Sequence, residues 1–170
     1  MNPIALMGRA KLDGKRTVPT VEEFGRFQVT MLELWLRDGR RVPIAPFSDL
    51  WRGGHHSCTF TSNCHRRFLG VGPSQTLSNC GRFLDCGLVF GTVDQDLEAR
   101  SKHRLLQELE AREPALRAGP CADCSYWNRC YGGCPVDAYT THGDLRRETP
   151  FCAAYKSMFE LVDRYGGSHG

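Results

Sequence analysis

The stretch CADCSYWNRCYGGCP, residues 121–135, contains four of the nine cysteines of this 170-residue chain. Cys121 and Cys124 are separated by two residues, a spacing that forms a turn and points both sulfurs at one metal centre. The next two cysteines, Cys130 and Cys134, are separated by three residues and are followed by Pro135. So dense a group of thiols in one segment indicates ligands of a metal site.

The proline after Cys134 bears on how the cysteines divide between sites. In bacterial ferredoxins the cysteine run ends with x3-Cys-Pro, and its last cysteine ligates the other of two clusters. By that logic Cys134 belongs to a second site. The next cysteine downstream then completes the first site, whose ligands are Cys121, Cys124, Cys130 and Cys152. The second site would take three of the four upstream cysteines, Cys58, Cys64, Cys80 and Cys86. Four thiolates also suit a structural zinc ion, and the spacing alone leaves both metals open.

The composition restricts the class of protein. The chain is 41% hydrophobic and 24% charged, as ordinary soluble globular proteins are. Its net charge of +3 is too small, and its basic residues are too scattered, for a nucleic-acid-binding surface. No apolar run approaches the roughly 18 residues of a membrane span, and the N-terminal apolar stretch is too short for a secretory signal. We therefore expect a cytoplasmic protein without nucleic-acid or membrane partners. Because that compartment is reducing and the number of cysteines is odd, we expect the thiols to act as ligands rather than to form disulfides.

Local patterns predict small α+β elements between long loops. The predicted elements are a helix over about 20–38, a short strand over about 41–46, strands over 67–72 and 76–84 joined by a turn, a helix over 94–112 and a final helix over about 151–164. Thr20 and Glu23 form a capping-box pattern at the start of the first helix. Pro114 is expected to end the helix over 94–112. Loops this long and this poor in apolar residues need a cross-link to become ordered.

The cysteine run and its neighbours resemble a known family. Cys121-x2-Cys124-x5-Cys130-x3-Cys134, followed by Cys152, is similar to the seven-cysteine signature of SPASM domains, the C-terminal extensions of radical S-adenosylmethionine peptide maturases. The adjacent residues Gly132-Gly133 and Ala153-Ala154-Tyr155 agree with it. The segment FLGVGPSQTLSNCGRF, residues 68–83, resembles the β-hairpin of these maturases, although Gln75 stands where a glycine is expected. This resemblance covers about residues 55–160.

The resemblance implies an α+β architecture with two parts and two auxiliary [4Fe–4S] clusters. Residues 1–54 resemble the last helix and strand of the family's partial β/α barrel, and 55–165 would form the SPASM-type cluster-binding domain. By resemblance, the near cluster would be held by Cys58, Cys64, Cys80 and Cys134, and the far cluster by Cys121, Cys124, Cys130 and Cys152. Cys86 is then the spare thiol and the alternative ligand to Cys80.

The motif for radical initiation is missing from the sequence. In this superfamily Cys-x3-Cys-x2-Cys binds a third cluster that holds S-adenosylmethionine, and no three cysteines here have that spacing. We therefore expect no S-adenosylmethionine site in this chain and no catalysis by the chain alone. The resemblance implies an accessory or truncated part of a peptide-modifying maturase, serving in electron transfer or in positioning the substrate peptide.

The partners implied by the resemblance are a radical S-adenosylmethionine catalytic chain and a ribosomally made precursor peptide. Two alternatives remain open. One is a split subunit of an active maturase, and the other is a structural zinc-binding module for protein contacts.

Two further sets of side chains have plainer interpretations. Tyr126 and Trp127 lie inside the cysteine loop and are expected to shield sulfur from water. Asp123, Asp137 and Asp144 are interpreted as surface acids rather than as acid–base groups.

Overall fold

The computed structural model describes residues 18–53 and 58–166, so the first 17 residues of the expected barrel remnant lie outside it. The helices are α1 (Val21–Arg37), α2 (Phe47–Trp51), α3 (Cys64–Arg67), α4 (Gly81–Asp85), α5 (Leu97–Ser101), α6 (Arg104–Glu110), α7 (Arg112–Arg117), α8 (Trp127–Cys130), α9 (Pro135–His142) and α10 (Cys152–Arg164). The strands are β1 (Gly70–Val71), β2 (Thr76–Ser78) and β3 (Gly91–Thr92). Within these ranges no helix is both long and apolar enough to cross a membrane.

Helix α1 begins where the capping-box pattern predicts. The backbone amide of Glu23 donates to Thr20 Oγ1 at 3.1 Å, and the Glu23 carboxylate accepts from the Thr20 amide at 2.8 Å. These two bonds satisfy amides that have no partner inside the helix. The predicted helical periodicity is also present, since Phe24, Leu32 and Trp35 are buried on one face.

The buried face of α1 packs against α10, which follows the cysteine-rich segment. Leu32, Met158 and Phe159 are completely buried in this core, together with Val162. Edge-to-face aromatic packing joins α1 to the start of α10, with the rings of Phe24 and Phe151 centred 5.3 Å apart. The described part of the expected barrel remnant therefore shares one core with the C-terminal helix.

The strand predicted over about 41–46 is wrong. The described residues there have irregular backbone and lead into α2. Side chains take the hydrogen bonds that a neighbouring strand would make: Trp35 Nε1 donates to the Val42 carbonyl at 2.6 Å, and the Ile44 amide donates to Ser48 Oγ at 3.0 Å. Pro43 and Pro46 have no amide to contribute to a ladder.

The chain contains a small antiparallel sheet of three strands in the order β1-β2-β3. Gly70 pairs with Ser78 across the first ladder, and Thr76 pairs with Thr92 across the second. Both predicted strands are shorter than expected, and β3 was not predicted. The second strand ends early because Ser78 Oγ donates to the Cys80 carbonyl at 2.9 Å and turns the chain into α4.

Residues Pro73–Gln75 form the turn between β1 and β2, which is not a regular 3-10 helix because Ser74 has a φ of 60°. Gln75, at the position where the family signature has glycine, adopts a φ of 61°. This left-handed conformation favours glycine, so the substitution retains the turn at a cost in backbone strain.

The helix predicted over 94–112 is divided into α5, α6 and α7. His103 caps the second of these, since its Nδ1 accepts from the Leu105 amide at 3.2 Å. The prediction that Pro114 ends a helix is wrong, because Pro114 lies in the first turn of α7. Proline is tolerated there because amides of the first turn have no helical acceptor.

Candidate metal centres

Short helices place most of the cysteines at their ends. Cys130 ends α8, Cys134 is the N-cap of α9, and Cys152 is the first residue of α10. In the tight turn before α8, the Cys124 amide donates to the Cys121 carbonyl at 3.4 Å. All nine cysteines lie in the described part of the chain and carry free thiols.

Four of these cysteines line a single cavity. Its cysteines are Cys121, Cys124, Cys130 and Cys152. Aromatic side chains close the cavity on one side, with Tyr126, Trp127 and Phe159 in its lining. Trp127 is 8% exposed and packs edge-to-face against Tyr131, while Cys124 and Cys152 remain partly exposed.

The thiols of these four cysteines affect one another's pKa. The pKa of Cys130 is raised to about 12, mainly by burial and then by like-charge repulsion from Cys152, with a smaller contribution from Cys121. Burial also raises the pKa of Cys121, with Cys124 and Cys152 as the next causes. Thiolates held this close repel one another, and a cation bound in the cavity would relieve that repulsion.

A second group forms around the sheet and α4. Cys58 begins a 3-10 segment, Cys64 begins α3, and Cys80 is the N-cap of α4. Burial raises the pKa of Cys64 to about 11, and both Cys58 and Cys80 contribute to the increase. Burial also raises the pKa of Cys58, with Cys80 as the next cause.

Cys134 adjoins this second group through shared polar neighbours. Arg82 Nη1 donates to Cys134 Sγ at 3.4 Å, and both Arg82 and Asp137 interact electrostatically with Cys58 and with Cys134. The pKa of Cys134 is raised to about 12 by burial. Asn79 Nδ2 donates to Cys64 Sγ at 3.3 Å on the other side of the group.

The interpretation of Asp137 as a surface acid is wrong. Asp137 is 4% exposed and forms an ion pair with Arg82. Burial raises its pKa, and the neighbouring Arg82 opposes that rise. The spacing alone held a signal for this, because Asp137 lies three residues after Cys134 at the start of a helix and therefore near the same face. Asp123, by contrast, is exposed and Asp144 is partly exposed.

Arg112 was not identified from the sequence, yet it interacts with both groups. Its guanidinium is buried and interacts electrostatically with Cys134 and Cys64 of the second group and with Cys121 and Cys130 of the first. A single arginine in a charged amphipathic helix carries no pattern that marks it as buried.

The spare cysteine, Cys86, lies at the end of α4. Its backbone amide donates to carbonyls of that helix, and its side chain packs against the hydrophobic cluster that contains Leu77 and Phe83. Within residues 18–53 and 58–166, no three Cys, His, Asp or Glu side chains converge closely enough to hold one metal ion.

Of the comparisons with known proteins, the solved structures show the fold. No protein-family model matches the chain. An uncharacterized protein from Archaeoglobus fulgidus is 22% identical over 165 residues, which cover 92% of this chain and 39% of that protein. The solved structure of anSMEcpe with bound AdoMet and the Kp18Cys peptide aligns with a TM-score of 0.66 and 20% identity, over 89% of this chain and 44% of that one. A second structure of anSMEcpe, with bound AdoMet, aligns with a TM-score of 0.67 and 19% identity, over 89% of this chain and 43% of that one.

The enzyme anSMEcpe is a radical S-adenosylmethionine anaerobic sulfatase-maturating enzyme with a SPASM domain. The resemblance to SPASM-containing maturases that the cysteine signature indicated is therefore confirmed at the level of the fold. The present chain spans less than half the length of each of these proteins.

Proposed function

We propose that this chain binds two [4Fe–4S] clusters and is the accessory part of a radical S-adenosylmethionine maturase that modifies a peptide. The observation that carries the proposal is the common cavity of Cys121, Cys124, Cys130 and Cys152. Four thiols from three separate segments meet there on the fold of a maturase. When bound, such clusters supply electron transfer, because four cysteine ligands fill the protein-facing positions of the irons.

The near cluster would be held by Cys58, Cys64, Cys80 and Cys134. The polar neighbours of this group support the proposal, because Asn79 and Arg82 already direct N–H donors at Cys64 and Cys134 sulfurs. Hydrogen bonds to sulfur and nearby charge are the means by which proteins adjust a cluster's potential. Cys80 is proposed as the fourth ligand because it interacts electrostatically with both Cys58 and Cys64.

The arrangement of the far group favours a cluster over zinc. A single zinc ion requires four sulfurs about 2.3 Å from one point. Among the residues that the structure describes, no three Cys, His, Asp or Glu side chains converge closely enough for that, whereas four thiols that line one cavity could each bind a different iron of a cluster. Tyr126 and Trp127, expected to shield the sulfurs, line the same cavity and would limit the access of water to a bound cluster.

The partners we propose are a radical S-adenosylmethionine catalytic chain and its substrate peptide. The solved structure of anSMEcpe that aligns with this chain holds both AdoMet and a peptide. The aligned region is 44% of that enzyme, so the remaining catalytic part would be supplied separately from the residues described here.

Metal and sulfide content of anaerobically prepared protein tests the proposal. Two [4Fe–4S] clusters predict about eight iron and eight sulfide per chain, with broad visible absorption and an electron paramagnetic resonance signal on reduction. Zinc is to be measured in the same samples. About two zinc per chain without sulfide would support the zinc module and overturn the proposal.

A further inference from the structure

Arg112 is a buried cation in the first turn of α7, 7% exposed, and its partners are backbone carbonyls. Its Nη1 donates to the carbonyls of Leu145 and Arg147. Its Nη2 donates to Gly132 O at 2.8 Å and to Gly133 O at 3.2 Å. One guanidinium thus joins three segments: α7, the glycine pair and the loop before α10.

The hydrogen bonds from Arg112 to Gly132 and Gly133 matter because of where these two glycines lie in the chain. Gly132 and Gly133 lie between Cys130, which belongs to the far group, and Cys134, which adjoins the near group. The two carbonyls that Arg112 Nη2 holds therefore belong to the short link between the two candidate centres. Arg112 positions that link directly.

The charge of Arg112 acts on both groups as well. It interacts electrostatically with Cys134, Cys64, Cys121 and Cys130, and burial lowers its pKa. Carbonyl dipoles offset only part of the cost of burying a cation, and an unpaired buried charge is strongly destabilising. The countercharge would come from the bound clusters, since four thiolates around a core of about +2 leave a net charge of about −2.

We infer that Arg112 is the shared positioning residue of both cluster sites, holding the link between them and raising both reduction potentials through its fixed positive charge. The inference rests on the proposed function. A positive charge in a low-dielectric region favours the more negative, reduced state of each neighbouring cluster. Because Arg112 interacts with cysteines of both groups, one substitution is expected to move both potentials in the same direction.

The test compares three variants with the wild type after anaerobic cluster reconstitution. Arg112→Met removes the charge and keeps the length of the side chain. Arg112→Lys keeps the charge and loses the planar fork that contacts several carbonyls. The control is Arg104→Met, which removes the same charge from an exposed position of α6, where Arg104 pairs with Glu108. Each protein is measured for iron and sulfide, for thermal unfolding and for both midpoints by redox titration.

We expect both midpoints to become more negative in Arg112→Met and to stay at the wild-type values in Arg104→Met, since exposed charges are screened by solvent. In Arg112→Lys we expect wild-type midpoints together with reduced thermal stability. A loss of iron in Arg112→Met alone also supports the inference, provided that the lysine variant keeps its clusters and their potentials.

Three results would overturn it: a loaded Arg112→Met protein with unchanged midpoints, a shift confined to one cluster, or a lysine variant that shifts its midpoints or loses iron. Each differs from failure of the proposed function, which is recognised by wild-type protein without sulfide.

Discussion

Arg82 and Asp137, 55 residues apart in the sequence, form an ion pair in which Nη2 donates to Oδ1 at 2.5 Å. The other terminal nitrogen of Arg82 donates to the sulfur of Cys134. The carboxylate therefore fixes a guanidinium against a proposed cluster ligand, and it also neutralises part of that guanidinium's charge.

Asp137→Asn is expected to lower the free energy of unfolding by about 2–3 kcal/mol, because it leaves the mostly buried Arg82 without its countercharge. In the loaded protein the full charge of Arg82 would then act on the near cluster, whose midpoint is expected to rise. Denaturant unfolding and redox titration measure the two effects. Asp163→Asn breaks the Arg129 ion pair elsewhere in the fold and serves as the matched control. Equal shifts of the near midpoint in both variants would contradict the expectation.

Alanine substitutions at Gly133 and Gly143 distinguish the cost of backbone strain from the cost of steric overlap in the link between the cysteine groups. Gly133 has a φ of 70°, and a Cβ built on it would lie 2.6 Å from the Cβ of the buried Thr149. Gly143 has a φ of 71° but no atom within 4 Å of a built Cβ. We expect Gly143→Ala to cost about 1 kcal/mol from backbone strain alone, and Gly133→Ala to cost about 2–3 kcal/mol more from overlap. Similar unfolding free energies for the two variants would show that Thr149 moves aside.

Serine substitutions distinguish the two candidates for the fourth near ligand. Cys80→Ser is expected to reduce iron from about eight to about four per chain, because Cys80 adjoins Cys58 and Cys64. Cys86→Ser should leave iron near eight. The opposite pair of results, measured on proteins reconstituted side by side, would make Cys86 the ligand.

Gln75→Gly is expected to stabilise the protein by about 0.5–1 kcal/mol, since glycine adopts the left-handed conformation of this turn without strain. The same change at Gln107, inside α6, should instead destabilise it by about 0.5–1 kcal/mol. Urea unfolding of both variants tests the pair of signs. A loss of stability at Gln75 would show that its side chain contributes more than its backbone costs.

Prediction from the sequence was accurate where one segment contains all the interacting groups. The capping box of Thr20 and Glu23 is such a case, and so is the final helix, expected over about 151–164 and found at Cys152–Arg164. It was inaccurate where a distant acceptor or core decides the conformation. The short strand over 41–46 is absent because side chains of Trp35 and Ser48 use its backbone groups.

The sequence by itself determined the number and spacing of the thiols, because Cys-x2-Cys and x3-Cys-Pro are local arrangements of a few residues. Only the tertiary structure decided which polar groups surround them. Arg112, Arg82 and Asp137 are ordinary charged residues of short helices when read along the chain. They acquire their roles because folding brings segments 20 to 55 residues apart together and excludes water, which makes each buried charge depend on its neighbours.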